Sequence, residues 1–208
     1  MAVDLPGHGS CPLAGLTDLG AVADRVLEEV EGPVDLVGVS LGGAVAQHAA
    51  LRHPDRVRSA VLACTSPATR TDILLARAEA LERDGLEAAL DETLRRWFSR
   101  AVLAKGDHPA VAYTRRRLLS DDVGSLAANW RMLAKHDLRE ELPGLALPVT
   151  VIAAAEDAGT PRSATDELHR LVPGSVQEIL PGPHMVHMEN GTAFAAAVRR
   201  HLDRVEAR

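Results

Sequence analysis

Aromatic side chains are scarce: two Trp, two Phe and one Tyr make up 2% of the 208 residues. So few rings exclude an aromatic platform for stacking nucleic-acid bases and leave Leu, Val and Ala to build the core. There are two cysteines, too few for a disulfide framework. Cys11 sits in a Gly/Pro-rich loop. Cys64 closes the apolar run Ala60–Val61–Leu62–Ala63–Cys64 and reads as a small buried hydrophobe. A reduced, cytoplasmic protein is expected. No apolar stretch approaches the roughly 18 residues of a membrane span, and no basic-then-apolar leader opens the chain, so neither membrane insertion nor a signal peptide is expected. The formal net charge is −6. Basic residues are scattered except Arg115–Arg116–Arg117, which on a helix point in several directions, so no nucleic-acid or anionic-membrane partner is expected. Metal-ligand spacing, internal repeats and low-complexity tracts are also missing, and neither a metal nor an organic cofactor is expected.

What is present is an ordinary globular composition, 46% hydrophobic and 25% charged, with length for one domain and a small insertion. Ala2–Leu5 reads as the end of a strand running into the turn Pro6–Gly9. Leu19, Val22, Val26, Leu27 and Val30 have helical spacing, with Thr17 or Asp18 as cap and Gly32–Pro33 as stop. Val34–Val37 is a short buried strand, Ala44–Arg52 a helix ending before Pro54, and Val57–Cys64 another strand. Strands alternating with helices predict a mostly parallel sheet with helices on both faces. From about Thr71 to Leu142 only helical patterns occur, punctuated by Gly85, Gly106, Pro109 and Gly124. The pattern then returns to strand at 148–153, helix at 163–171, strand at 175–180 and helix at 192–205. This predicts a core in two parts, residues 1–68 and 143–208, with residues 69–142 as a helical lid.

The strongest chemical signal is Gly38–Val39–Ser40–Leu41–Gly42, a G-x-S-x-G sequence between a predicted strand and a predicted helix. The turn is tight enough to strain Ser40, and flanking glycines relieve steric clash. The hydroxyl is then presented at a helix N-terminus, where the Leu41 N–H can stabilise an oxyanion. Serine needs a base, and nine histidines compete. His53 precedes Pro54 at a helix end, His108 precedes Pro109 in a loop, His169 and His201 fall on charged helix faces, and His48 falls on the helix after Ser40. His184, in Pro181–Gly182–Pro183–His184 after the last strand, lies where loops converge at the carboxyl end of a parallel sheet. His187, three residues on, is a second candidate. Asp157, after the 149–155 strand, can hold the imidazole in one tautomer, whereas the adjacent Glu156 would point the other way. The order Ser40, Asp157, His184 is nucleophile, acid, base. Trp97, Trp130 and Met132 are expected to line a substrate pocket under the lid.

With these residues in place, the chain resembles the α/β-hydrolase superfamily over essentially its whole length. The resemblance rests on Asp4–Ser10, Val39–Gly43, His53–Val57, Asp157–Pro161 and His184–Glu189. It implies an α/β-hydrolase fold, with His184 as base and His187 and Glu189 as supports. Leu94–Phe98 and His136–Arg139 are similar to lid segments of 3-oxoadipate enol-lactonases, which makes a small-molecule ester or lactone the expected substrate. A carboxylesterase, a perhydrolase or haloperoxidase-like enzyme, and a non-catalytic binding relative are the alternatives. A homo-oligomer is left open. The family carries about three strands before the segment matching Asp4, and a His-Gly loop giving a second oxyanion N–H. Met1 is therefore expected to be an internal methionine of a longer protein. The chain as read would leave Val34–Val37 without a neighbour or force new pairing, and would lack one oxyanion donor, a loss of about 2.7–4 kcal/mol in transition-state stabilisation.

Overall fold

The computed structural model describes residues 1–207. Its centre is a four-stranded parallel sheet: β1 (Val34–Val39), β2 (Val57–Ala63), β3 (Val149–Ala154) and β4 (Val176–Leu180), paired in that order. Every residue of β3 and all but Arg58 of β2 are buried. Uninterrupted apolar runs such as Val61–Leu62–Ala63 and Val151–Ile152–Ala153 are what a strand covered on both faces requires. Alternate residues of β2 serve opposite layers. Ala60 and Leu62 pack against α1 (Leu19–Glu28), α2 (Leu41–Arg52) and α7 (Arg162–Leu171), while Val61 and Ala63 pack against α8 (Val186–Glu189) and α9 (Gly191–Glu206). Full burial of a side chain such as Leu62 contributes about 1.5–3 kcal/mol.

Asp18 caps α1 by accepting from the Ala21 N–H at 2.9 Å, as its position before the apolar periodicity predicts. β1 pairs only with β2 among the described residues, and Val37 on it is 47% exposed. Residues 1–5, expected to end a strand, have no regular structure. They have no ladder partner to hold them extended, and the expectation of a strand is corrected there.

Between β2 and β3 the regular elements are helical: α3 (Thr71–Trp97), α4 (Arg100–Ala104), α5 (Pro109–Ser120), α6 (Val123–Leu133) and a short 3-10 turn at Leu142–Gly144. The α3 axis breaks at Gly85, whose φ of 79° and ψ of 175° lie outside the helical region. The two ends of this segment are fastened to each other. Thr69 N–H donates to the His136 carbonyl at 3.1 Å and Leu138 N–H to the Pro67 carbonyl at 2.8 Å. The Thr69 and Thr71 hydroxyls donate to the Leu133 and Ala134 carbonyls at 2.6 and 2.9 Å. No helix among the described residues is long and apolar enough to cross a membrane.

Candidate active site

Ser40 stands at the junction of β1 and α2 with φ 54° and ψ −115°. A non-glycine residue with positive φ away from the left-handed helical well is strained, and such strain persists only where the surroundings fix it. Here they do. The Ser40 N–H extends the sheet ladder to the Ala63 carbonyl at 2.9 Å, and the Ser40 carbonyl accepts from the N–H groups of Gly43 and Ala44. A β-carbon on Gly38 would lie 2.3 Å from the Gly42 carbonyl oxygen, and one on Gly43 would meet Thr65 at 2.6 Å. One on Gly42 would meet no protein atom within 4 Å. Steric need therefore falls on Gly38 and Gly43 rather than on both glycines of the motif. Leu41 begins α2, so its N–H is one of the first-turn donors without an intrahelical partner, at the positive end of the helix dipole.

His184 and Asp157 come together from two other loops beyond the sheet. Nδ1 of His184 lies 2.9 Å from each carboxylate oxygen of Asp157, and the two side chains are 3% and 1% exposed. Asp157 is itself held, because its Oδ1 accepts from the N–H groups of Gly159 and Thr160 at 2.7 Å each. With Nδ1 turned to the carboxylate, Nε2 is the ring nitrogen left for the cavity. The Trp97 ring stacks beside the imidazole, with centroids 6.5 Å apart and 27° between planes. His187, the second base candidate, packs against Phe194 at 5.9 Å, and its Nδ1 is buried without a hydrogen-bond partner among the described residues. Burial first, and the His184 ring second, lower its pKa.

Glu189, a support implied by the resemblance, accepts from both the N–H and the hydroxyl of Ser99, at 2.7 and 2.8 Å. The Met185 N–H donates to the Trp97 carbonyl at 3.0 Å. Neither Ser99 nor Met185 carries a sequence signal for these contacts, which tie the loop bearing His184 to the end of α3 and the start of α4. Cys64 has φ 48° and is fully buried; its Sγ lies within 4.8 Å of the facing atoms of Asp157 and His184. Burial, then the Asp157 charge, pushes the thiol pKa far up. The Asp157–His184 hydrogen bond accounts for the other two groups of this cluster.

Ser40, Leu41 and His184 line one cavity of about 1080 Å³. Trp97 and Trp130 line it too. Met132 does not, and the expectation is corrected: it is 2% exposed and packs into the core with α1 and α2. Two residues apart on a helix is about 200° of rotation, so Trp130 and Met132 cannot share a face of α6. His8 also lines the cavity, from the Pro6–Gly9 turn, which Asn129 of α6 anchors by donating to the Pro6 carbonyl at 3.1 Å.

A parallel sheet with a strained strand–serine–helix turn and a carboxylate-held imidazole on one cavity defines a class of hydrolases. The chain belongs to the alpha/beta hydrolase family, whose family model matches residues 1–197. A pimeloyl-[acyl-carrier protein] methyl ester esterase of Chromobacterium violaceum is 32% identical, over 97% of this chain and 82% of the relative. Its counterpart in Neisseria meningitidis serogroup C is 31% identical, over 98% and 83%. Among solved structures, a hydrolase from Pseudomonas aeruginosa superposes with a TM-score of 0.90 at 29% identity, covering 96% of this chain and 77% of that one. The enol-lactonase of Burkholderia xenovorans gives 0.89 at 24% identity, covering 96% and 79%, a likeness of fold alone.

Proposed function

We propose that the chain is a serine hydrolase that cleaves a carboxylic ester through an acyl-enzyme, with Ser40 as nucleophile, His184 as base and Asp157 as its orienting carboxylate. The observation that carries this reading is that the strained Ser40 turn lines the same cavity as His184, whose imidazole is hydrogen-bonded from behind by Asp157. Nε2 of His184 takes the Ser40 proton as Oγ attacks the carbonyl carbon. The Leu41 N–H stabilises the resulting oxyanion. Collapse breaks the bond to the leaving oxygen, which takes the proton from His184. Water, deprotonated by His184, then attacks acyl-Ser40 and releases the acid. The helices between β2 and β3 act as the lid, and Trp97 and Trp130 supply its apolar wall.

The 31–32% identity to methyl ester esterases favours an ester over the lactone that the lid segments first suggested. The test is labelling by a serine-directed fluorophosphonate, followed by a panel of short-chain aryl and methyl esters with lactones alongside. Labelling of the wild type that is lost in Ser40→Ala, with ester turnover lost in the same variant, is the expected result. Folded wild-type protein that neither labels nor turns over any ester would refute the reading and favour a binding protein.

A further inference from the structure

Two arginines of α3, on either side of the Gly85 break, face the cavity that holds Ser40 and His184. Arg96 is the more enclosed, with a side chain 12% exposed. Its nearest carboxylate is Glu92, 3.6 Å away and itself 79% exposed, and its only hydrogen bond among the described residues is a 3.4 Å contact to the Thr93 hydroxyl. Arg77 lies with its guanidinium carbon 5.6 Å from the centre of the Trp130 ring and has no ion pair or hydrogen bond among the described residues. Such burial is costly for a cation unless an anion joins it. The other acids lining the cavity are committed elsewhere: Asp84 to Arg83, Asp121 to Arg117 and Asp35 to Arg58. Two guanidinium groups thus share one solvent-screened carboxylate.

We infer that Arg77 and Arg96 form an anion-binding subsite of the cavity, which receives a carboxylate carried by the substrate away from its scissile ester. The substrate class is then a half-ester of a dicarboxylic acid, or an ester with an equivalent anionic tail. One uncompensated positive charge matches a carboxylate better than a doubly charged phosphate, and a guanidinium fork binds a carboxylate through two parallel hydrogen bonds. Desolvation, then the mutual repulsion with Arg77, holds Arg96 down to about 10, and desolvation also lowers Arg77. These are the shifts that an incoming anion would reverse. The substrate class rests on the esterase reading; the anion site does not.

The chain contains two tryptophans, Trp97 and Trp130, and both line this cavity. Intrinsic fluorescence is therefore a direct probe of the subsite, independent of catalysis. Adipate is titrated into wild type, Ser40→Ala, Arg77→Gln, Arg96→Gln and the charge-keeping Arg96→Lys. In parallel, kcat/KM is measured for monomethyl adipate and methyl hexanoate, which differ only in the terminal carboxylate. Expected are saturable adipate binding in wild type and Ser40→Ala, and selectivity for the charged ester. Each Arg→Gln change should raise KM for monomethyl adipate about 10- to 100-fold more than KM for methyl hexanoate, with Arg96→Lys between. Wild type that hydrolyses methyl hexanoate but neither binds adipate nor prefers the charged ester would overturn the subsite and leave the esterase reading intact. Arg→Gln variants in which both KM values move together would overturn the subsite equally. Adipate binding lost in Arg77→Gln and Arg96→Gln, without turnover of either ester, would keep the subsite and sink the esterase.

Discussion

A β-carbon built on Gly159 would stand 2.9 Å from Nδ1 of His184 and 3.0 Å from its Cγ. That is too close for contact, and the neighbour is an imidazole ring rather than the tip of a flexible chain. Gly159 also donates one of the two backbone bonds that hold Asp157. Gly159→Ala should therefore displace the ring from its place against Asp157 without disturbing the hydrophobic core. A displacement approaching 1 Å costs about 10²-fold in rate. The expected outcome is kcat down by about that factor on any ester the protein hydrolyses, KM little changed, and an unaltered urea midpoint. A second prediction concerns the thiols. Both cysteines are free, Cys11 partly exposed and Cys64 buried, and burial keeps Cys64 protonated. A disulfide exchange reagent at neutral pH should titrate one thiol in the native protein and two in denaturant. Rapid reaction of both in the native state would contradict the burial of Cys64.

At the scale of elements, Gly85 carries a conformational demand of its own, outside the site. Its backbone lies in a region open almost only to glycine, while its missing β-carbon would touch nothing within 4 Å. Gly85→Ala should thus act through the backbone alone and destabilise the protein by about 1–3 kcal/mol. Urea unfolding measures this, and a change within about 0.5 kcal/mol would mean that the break in α3 is not held by the fold. Gly85 is legible in the sequence as the stop between two helical patterns, and β2 and β3 are legible from the apolar runs Ala60–Ala63 and Val151–Ala154 that strands covered on both faces carry, whereas β1 and β4 are only partly buried and are interrupted by Asp35 and by Gln177–Glu178. The one-turn α8 and five-residue α4 are not, since neither spans enough residues to show a period. At the site, Ser40, Asp157 and His184 can be read because each follows a strand end. Arg77 and Arg96 cannot, because an arginine in a helical pattern looks the same whether its face meets water or a cavity. Met132 shows the complementary limit: closeness in sequence to Trp130 is undone by the helical rotation between them.

At the scale of the whole molecule, stability is expected to follow the protonation of histidines that folding keeps neutral. His48 on α2 and His136, beyond the end of α6, lie beneath the helical segment, with Nδ1 of His136 3.3 Å from Nε2 of His48 and Nε2 of His136 3.0 Å from the Ser66 carbonyl. Desolvation, followed by the His136 ring, lowers His48 to about 4, with Arg52 acting in the same direction and Asp18 against it. Desolvation also lowers His136. A histidine depressed by folding takes up its proton at lower pH in the folded chain than in the unfolded one. As pH falls, the unfolded state therefore binds protons first. The stability contributed is complete above about 6.5, the ordinary histidine value, and is lost as pH falls toward about 4, the folded value of His48. The carboxylates act in a lower window: Asp24, lowered to about 2 by Arg52 and His53, loses its contribution only below 3.8. The two effects are thus separable. Urea midpoints should drop between pH 7 and pH 5, before carboxylates titrate appreciably, and the drop should shrink in His48→Gln, which keeps a polar group opposite His136 but cannot be protonated. Because these histidines sit where the helical segment joins the sheet, that segment should loosen first. Backbone amides of α6 should then lose hydrogen-exchange protection at pH 5 before those of β2 and β3. Equal slopes of stability against pH in wild type and His48→Gln would show that the buried pair is not what makes the fold acid-sensitive.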